Sequence, residues 1–463
     1  MSIEDEKGEV DNEQENDFEQ DIQDAEELQL KKENAVHISG NRATTQIFVQ
    51  NLDKLNLGNY QTLKDDKKNI KIYDLNDEQE CVAFIEENAS KECLVMAIIL
   101  VSFDRVLLGD LFYLRKKFEP YISVLEDVLK ADGTQYTALN NVLEVIGGQK
   151  SKSPDGKQWV GMKNGSEQAF ENVMGQIPCL KSIFMEWLMS IQNDGNEMSS
   201  FGIYELTTAY MRILKLGFYN MYDEIFSPLY ESSDSVGMLG LLIFRMYQDE
   251  ELKEESIRQI TFCLQNDITW TWRVVCIVYA YFAQDKIKFL YEKKLLILLR
   301  RKITTWTRDD YIFVASLMFQ SMAFRTQISK AYNLIYKEAV WNDKESIAKS
   351  YLRLVRISYY HVNKQEIALP LVACDLAEQQ ENISLLLDKI MNVYELRKQL
   401  YAILRAYLKE ISTYEVSSNI MRHIAGFFFN IIEMNPDFEE DIRDFLMERY
   451  NKATLTVGRL IFH

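Results

Sequence analysis

From Leu241 to Ala425 the chain runs 185 residues without a glycine and with one proline, Pro370. Apolar residues return there every three or four positions, the spacing that lays one face of a helix on a core. The strongest breakers of regular structure are missing. The pattern predicts helices over Val236–Gln248, Glu254–Leu264, Thr269–Ala283, Lys286–Lys302, Asp309–Phe324, Gln327–Ala339, Lys344–His361, Gln365–Leu376, Ile383–Val393, Leu396–Ile411, Ser417–Ile432 and Phe438–Tyr450. Short polar links between them predict antiparallel pairs. The pitch, ~35–40 residues per pair, falls in the range of HEAT and tetratricopeptide repeats, although no consensus word recurs. Val274–Ala283 is apolar all round, whereas Leu352–Tyr360 carries Arg353 and Arg356 on one side. A layered array with a buried layer predicts that mixture.

Upstream the texture changes. Thr44–Val49, Leu55–Leu57 and Ile70–Tyr73 are short β-branched or alternating runs next to Gly-Asn turn signals, and read as strands. Asn76 stands three residues before Gln79 in a capping-box arrangement, so the first helix is expected over Asp77–Asn88. Ser90 is placed to cap a second helix containing the apolar run Leu94–Phe103. Asp110–Phe118, Tyr121–Leu129 (behind Pro120) and Thr137–Ile146 follow. Gly147–Gly165 is the one long break, read as a loop with a short hairpin around Trp159–Met162. Helices resume over Ser166–Met174, Pro178–Ile191, Ile203–Leu216 and Met221–Tyr230.

The expected fold class is all-α: an irregular α-solenoid or helical-repeat, HEAT-like array with a small β segment near the N-terminus. Its divisions are an acidic leader over 1–35, a β-containing segment over 36–75, helices over 76–150, a loop or hairpin over 151–165 and the array over 166–463.

Composition sharpens this. Apolar residues are 47% of the chain, with 24 Phe and 25 Tyr, enough for a large core; only six prolines interrupt it. The net charge of −18 is concentrated: residues 1–35 hold 14 acidic side chains against three lysines. Such a leader buries too little apolar surface to offset its ordering entropy, so disorder is expected there. An acidic balance argues against a dedicated nucleic-acid binder, which needs excess cations to displace counterions. The six cysteines are scattered, with no C-x-x-C pair, and read as reduced core thiols. The longest apolar runs are ten residues, short of the ~18 or more of a membrane span. Together with the absence of a cationic, apolar start, this predicts a soluble, cytoplasmic protein without membrane insertion.

Candidate chemistry is sparse. Gly156-Lys157-Gln158-Trp159-Val160-Gly161-Met162-Lys163 has the glycine spacing of a phosphate loop. It puts Met where the lysine belongs and Lys where the hydroxyl belongs. The four histidines, His37, His361, His423 and His463, form no metal-binding spacing. Glu439-Glu440-Asp441 reads as an acidic helix start. No catalytic residue, metal or cofactor is expected. Two features point to binding. Lys286, Lys293, Lys294, Arg300 and Arg301, spaced by about seven, are expected on one stripe of a helix. The stripe is a docking strip for an acidic partner or a solvated face. Trp270 and Trp272 open the preceding helix and are interface anchors or core.

The stretch from about Glu92 to Lys302 resembles the helical region that follows the ATPase module in bacterial STAND-type NTPases, signalling proteins of conflict and defence systems. The residues carrying the resemblance are Leu94–Leu114, the strand Trp159-Val160-Gly161-Met162, and Ile177-Pro178-Cys179-Leu180 leading to Phe184-Met185-Glu186-Trp187-Leu188. Helical pairs including Phe218–Pro228 and Trp270–Gln284 follow. The interval before Leu94 is too short for the ATPase module. The resemblance therefore implies a sensor, adaptor or regulatory part without the motor.

The leading expectation is a non-enzymatic module with a protein partner, since helical arrays expose long grooves. The alternative is a nucleic-acid- or nucleotide-responsive binder using the basic strip, recognisable by steeply salt-dependent binding. An enzyme with a site assembled from distant helices would show convergent, perturbed acids in a deep pocket.

Overall fold

The computed structural model describes residues 70–129, 138–192, 203–217, 220–266, 270–360, 385–411, 418–448 and 451–462. The acidic leader, the strands expected at Thr44–Val49 and Leu55–Leu57, and the helix expected at Gln365–Leu376 lie outside them.

The first helix, α1 (Glu78–Asn88), is capped by Asp77, whose Oδ1 accepts from Glu80 N at 3.0 Å. The cap therefore sits one residue later than the Asn76 expectation. Asn76 caps a different helix: its Oδ1 accepts from Ala169 N at 3.0 Å, in the first turn of the helix Glu167–Gln176. Ile70–Tyr73 forms no strand; a backbone bond from Tyr73 N to Val145 O, 2.9 Å, holds its end. Ser90 caps α2 (Lys91–Ser102) as expected, and α2 is buried from Cys93 to Ser102. An all-round apolar helix of this kind needs neighbours on every side. They are α3 (Leu108–Phe118), α4 (Leu139–Val145), α5 (Glu167–Gln176) and a small sheet. The helix expected at Tyr121–Leu129 is instead a 3-10 turn over Glu119–Leu125.

The sheet has three antiparallel strands in the order β1-β3-β2: β1 (Val106–Leu107), β2 (Gly148–Lys152) and β3 (Gln158–Met162). The expected hairpin is β2 and β3. Gly161 permits a close approach, because a Cβ there would stand 2.8 Å from Asp104 O.

The remaining helices are α6 (Leu180–Gln192), α7 (Ile203–Leu216), α8 (Ser227–Glu231), α9 (Val236–Gln248), α10 (Lys253–Gln265), α11 (Thr271–Gln284), α12 (Glu292–Ile303), α13 (Arg308–Gln320), α14 (Met322–Glu338) and α15 (Trp341–Tyr360). After them come α16 (residues 385–392), α17 (Tyr394–Ile411), α18 (Ser418–Met434), α19 (Phe438–Glu448) and α20 (Lys452–Phe462). A π-helical turn, Met221–Phe226, precedes α8 where one continuous helix was expected. The described residues are thus mostly helical with one small sheet, and Lys71–His463 form one compact unit.

From α7 onward several helices pack on their second neighbour: α7 on α9, α9 on α11, α12 on α14, α13 on α15, α15 on α17 and α18 on α20. Particular residues set these approaches. Gly240 brings α9 against α11, where an added Cβ would lie 2.7 Å from Ile277 Cβ. Arg245 of α9 donates to Thr207 Oγ1 and Thr208 Oγ1 of α7, both at 2.8 Å. Arg273 of α11 donates to Asp310 Oδ1 of α13 at 2.5 Å, and Asp310 also completes a capping box with Thr307. Ser350 Oγ of α15 meets Tyr311 and Tyr332 hydroxyls at 2.7 and 2.9 Å, tying α13, α14 and α15.

The sheet-bearing part and the helices beyond it meet at Arg212. This α7 guanidinium, 6% exposed, donates to Val101 O (2.6 Å), Asp104 Oδ1 (2.6 Å) and Ser166 Oγ (2.8 Å). Val101 O is one of the last carbonyls of α2, which have no partner within their own helix. Burial pushes the Arg212 pKa down, against the pull of Asp104 and Glu167. In full-chain urea unfolding, Arg212→Ala should cost about 2–3 kcal/mol, because it strands the buried Val101 carbonyl and removes the bond that Ser166 Oγ accepts. Asp104→Ala should cost no more than about 1 kcal/mol, since Asp104 is 61% exposed. Equal costs would contradict this assignment.

Candidate interaction surface

The helix α12 is built from the run Glu292-Lys293-Lys294-Leu295-Leu296-Ile297-Leu298-Leu299-Arg300-Arg301-Lys302-Ile303. Glu292 lies in its first turn and Arg300, Arg301 and Lys302 in its last, matching the helix dipole at both ends. Leu295, Leu298, Leu299 and Ile303 are buried and pack it on α14. The run has more apolar residues than one face can hold, so Ile297 is turned outward, 55% exposed. Leu290, just before the helix, is 66% exposed. Lys293, Lys294 and Arg301 are exposed on either side of Ile297 along the helix. The result is an apolar strip with cations beside it.

Lys286 does not belong to that helix, which starts six residues later than expected. It has φ +56° and ends α11: Lys286 N donates to Ala283 O (3.1 Å) and Ile287 N to Phe282 O (2.8 Å). That is a Schellman closure with lysine at the left-handed position where glycine is usual. Arg300 is half-buried and paired with Glu338 of α14, so it is committed to packing. Of the five expected cations, Lys293, Lys294 and Arg301 remain together on the α12 surface.

Beside the strip an open groove of ≈ 590 Å³ lies between α12, α14 and α15. Ile297, Arg301, Ile335, Glu338, Asp343 and Ile347 line it. Both signs of charge meet an apolar floor there, an arrangement suited to docking a side-chain-bearing chain.

The two tryptophans separate. Trp272 is 2% exposed, stacked on Trp306 (centroids 6.0 Å, 17°) and edge-on to Phe313. It is core, which corrects its place among candidate binding residues. Trp270 is half-buried before α11, with its ring stacked on Tyr230 at 6.3 Å.

The thiols of Cys81, Cys263 and Cys276 are placed against reactivity. Burial pushes the Cys81 and Cys263 thiols up to about 12 and the Cys276 thiol well above its usual value, whereas reactive cysteines need the opposite shift. Tyr230, whose hydroxyl lies 3.3 Å from Cys263 Sγ and 3.0 Å from Gln259 Oε1, is likewise driven up by burial. The glycine pattern of 156–163 is the β2–β3 hairpin: Gly156 holds its turn at φ +83°, and Val160, Gly161 and Met162 are buried in β3. Among the described residues no three His, Cys, Asp or Glu side chains are grouped to hold a metal. No described helix is long and apolar enough to cross a membrane.

Compared with protein-family models, curated proteins and solved structures, the chain matches none.

Lys286→Gly removes a strained side chain from the left-handed site. It should stabilise the protein by roughly 0.5–1 kcal/mol in chemical unfolding and leave the α12 surface unaltered. Destabilisation would contradict the assigned closure.

Proposed function

We propose that this chain is a non-enzymatic protein–protein interaction module, an adaptor or regulatory subunit built as an irregular, HEAT-like α-solenoid. The packing of helices on their second neighbours from α7 to α17 supports the solenoid reading. In such an array each added helix buries one side against earlier helices and leaves another outward. The observation carrying the function is the α12 surface, where exposed Leu290 and Ile297 stand beside Lys293, Lys294 and Arg301 above the groove. Singly exposed aliphatic residues are ordinary on a protein surface, and Met322, Val340 and Leu385 are others here; at α12 two of them stand beside three cations and a groove. The partner's complementary surface is acidic with apolar anchors. A signalling or defence assembly is the setting we propose for that partner, as the sequence resemblance to the helical region of STAND-type NTPases implies. The competing reading, a nucleic-acid-responsive binder, loses Lys286 and Arg300 from its strip.

Affinity capture of the tagged chain from its native cells tests this. The wild type should retain one protein in near-stoichiometric amount. Lys293→Glu/Lys294→Glu/Arg301→Glu should reduce that protein at least tenfold with an unchanged circular dichroism spectrum. Capture of the same proteins by both forms would refute the surface. Nucleic acid recovered in their place, with steep salt dependence, would favour the competing reading.

A further inference from the structure

A second surface lies on the hairpin, far along the chain from α12. Strand β2 is an edge strand. Its pairing with β3 is bounded by Lys163 N to Gly147 O (3.0 Å) and Ser153 N to Lys157 O (2.9 Å), with Gln149 opposite Gly161 and Ser151 opposite Trp159. Antiparallel ladders bond at every second residue. Gln149 and Ser151 therefore turn their backbone groups toward β3, and Gly148, Lys150 and Lys152 turn theirs outward. Among the described residues nothing pairs with that outer edge, and Gln149 to Lys152 are all exposed.

Two further observations say what fits there. At the Gly148 end the edge opens on a cavity of ≈ 340 Å³ lined by Ile72, Asn140, Leu143, Glu144 and Lys163, with Ile72 53% exposed. That is room for one side chain, against Ile72 and Leu143, with Glu144 and Lys163 at its rim. The hairpin also carries Lys150, Lys152, Lys157 and Lys163 against a single acid, Asp155, which is already bonded to Ser153 Oγ and Lys157. A second copy of this edge would set lysine against lysine, the device by which edge strands resist self-pairing.

We infer that the β2 edge takes up an extended acidic segment of a protein partner as a fourth strand, with one apolar side chain in the Ile72–Leu143 cavity. Backbone bonds to Gly148, Lys150 and Lys152 supply the docking, and carboxylates facing the lysines supply the selectivity. The inference is independent of the α12 surface and stands or falls separately.

Hydrogen exchange on the full chain, read at the amides of Gly148, Lys150 and Lys152, tests it. The probe is the blocked peptide acetyl-Leu-Glu-Val-Glu-Val-Glu-amide. At saturation those amides should slow at least tenfold. The same peptide with lysine in place of glutamate should have no effect. Lys150→Pro removes an outward N–H while sparing the Gln149 and Ser151 bonds, and should abolish the protection. Lys150→Glu/Lys152→Glu should weaken peptide binding at least tenfold with the Gly161 amide still protected. The inference is overturned if the three amides are already slow without peptide, if the acidic peptide leaves them fast, or if the lysine peptide protects them equally.

Discussion

One guanidinium holds the architecture together. Arg212 reaches from α7 to the last turn of α2, to the bend at Asp104 and to Ser166 at the start of α5. Ser166 Oγ passes the contact on by donating to Phe103 O at 3.2 Å. A planar fork of donors is suited to several acceptors at once, and lysine could not replace it. The orphan carbonyl of α2 and the entry to α5 are satisfied by the helix that starts the long helical stretch. The position of that stretch on the sheet-bearing part is therefore set by hydrogen-bond satisfaction as well as by apolar burial.

Beyond α7 the same logic repeats with different residues. Arg245 ties α9 to α7, Arg273 ties α11 to the start of α13, and Ser350 joins two tyrosines across three helices. Between these polar ties the fill is aromatic, as in the cluster of Trp272, Trp306, Phe313, Tyr311 and Tyr332. Outside this fill, Ile297 on α12 and Leu290 just before it are among the large apolar residues left exposed.

The long helices were legible because their apolar spacing is regular; Ile203–Leu216 and Val236–Gln248 match the expected bounds at both ends. Boundaries failed where two signals competed. Asp77 and Asn76 both precede a suitable first turn, and the choice was made by Asn76 bonding to α5 across 93 residues of sequence. Periodicity alone carried α12 back to Lys286, because nothing local announces a lysine at a left-handed closure. The last helix, α20, was missed because β-branched residues and Gly458 weaken its pattern. Its signal was the cap, with Asn451 Oδ1 accepting from Thr454 N and Thr454 Oγ1 from Asn451 N, both at 2.9 Å. Strand β1 spans two residues and has no period to detect. Of the surface on α12, the cations were visible in the sequence. The exposure of Ile297 was not, since it depends on which face α14 covers.

The central claim is that the α12 surface meets an acidic protein partner. Zero-length carbodiimide coupling in lysates of the native cells, followed by mass spectrometry, addresses it most directly, because it joins a lysine only to a carboxylate in contact with it. The account predicts coupling of Lys293 or Lys294 to Asp or Glu residues of one partner protein, lost when salt dissociates the complex. Coupling of these lysines to no other protein, while lysines elsewhere on the chain couple to one, would contradict it.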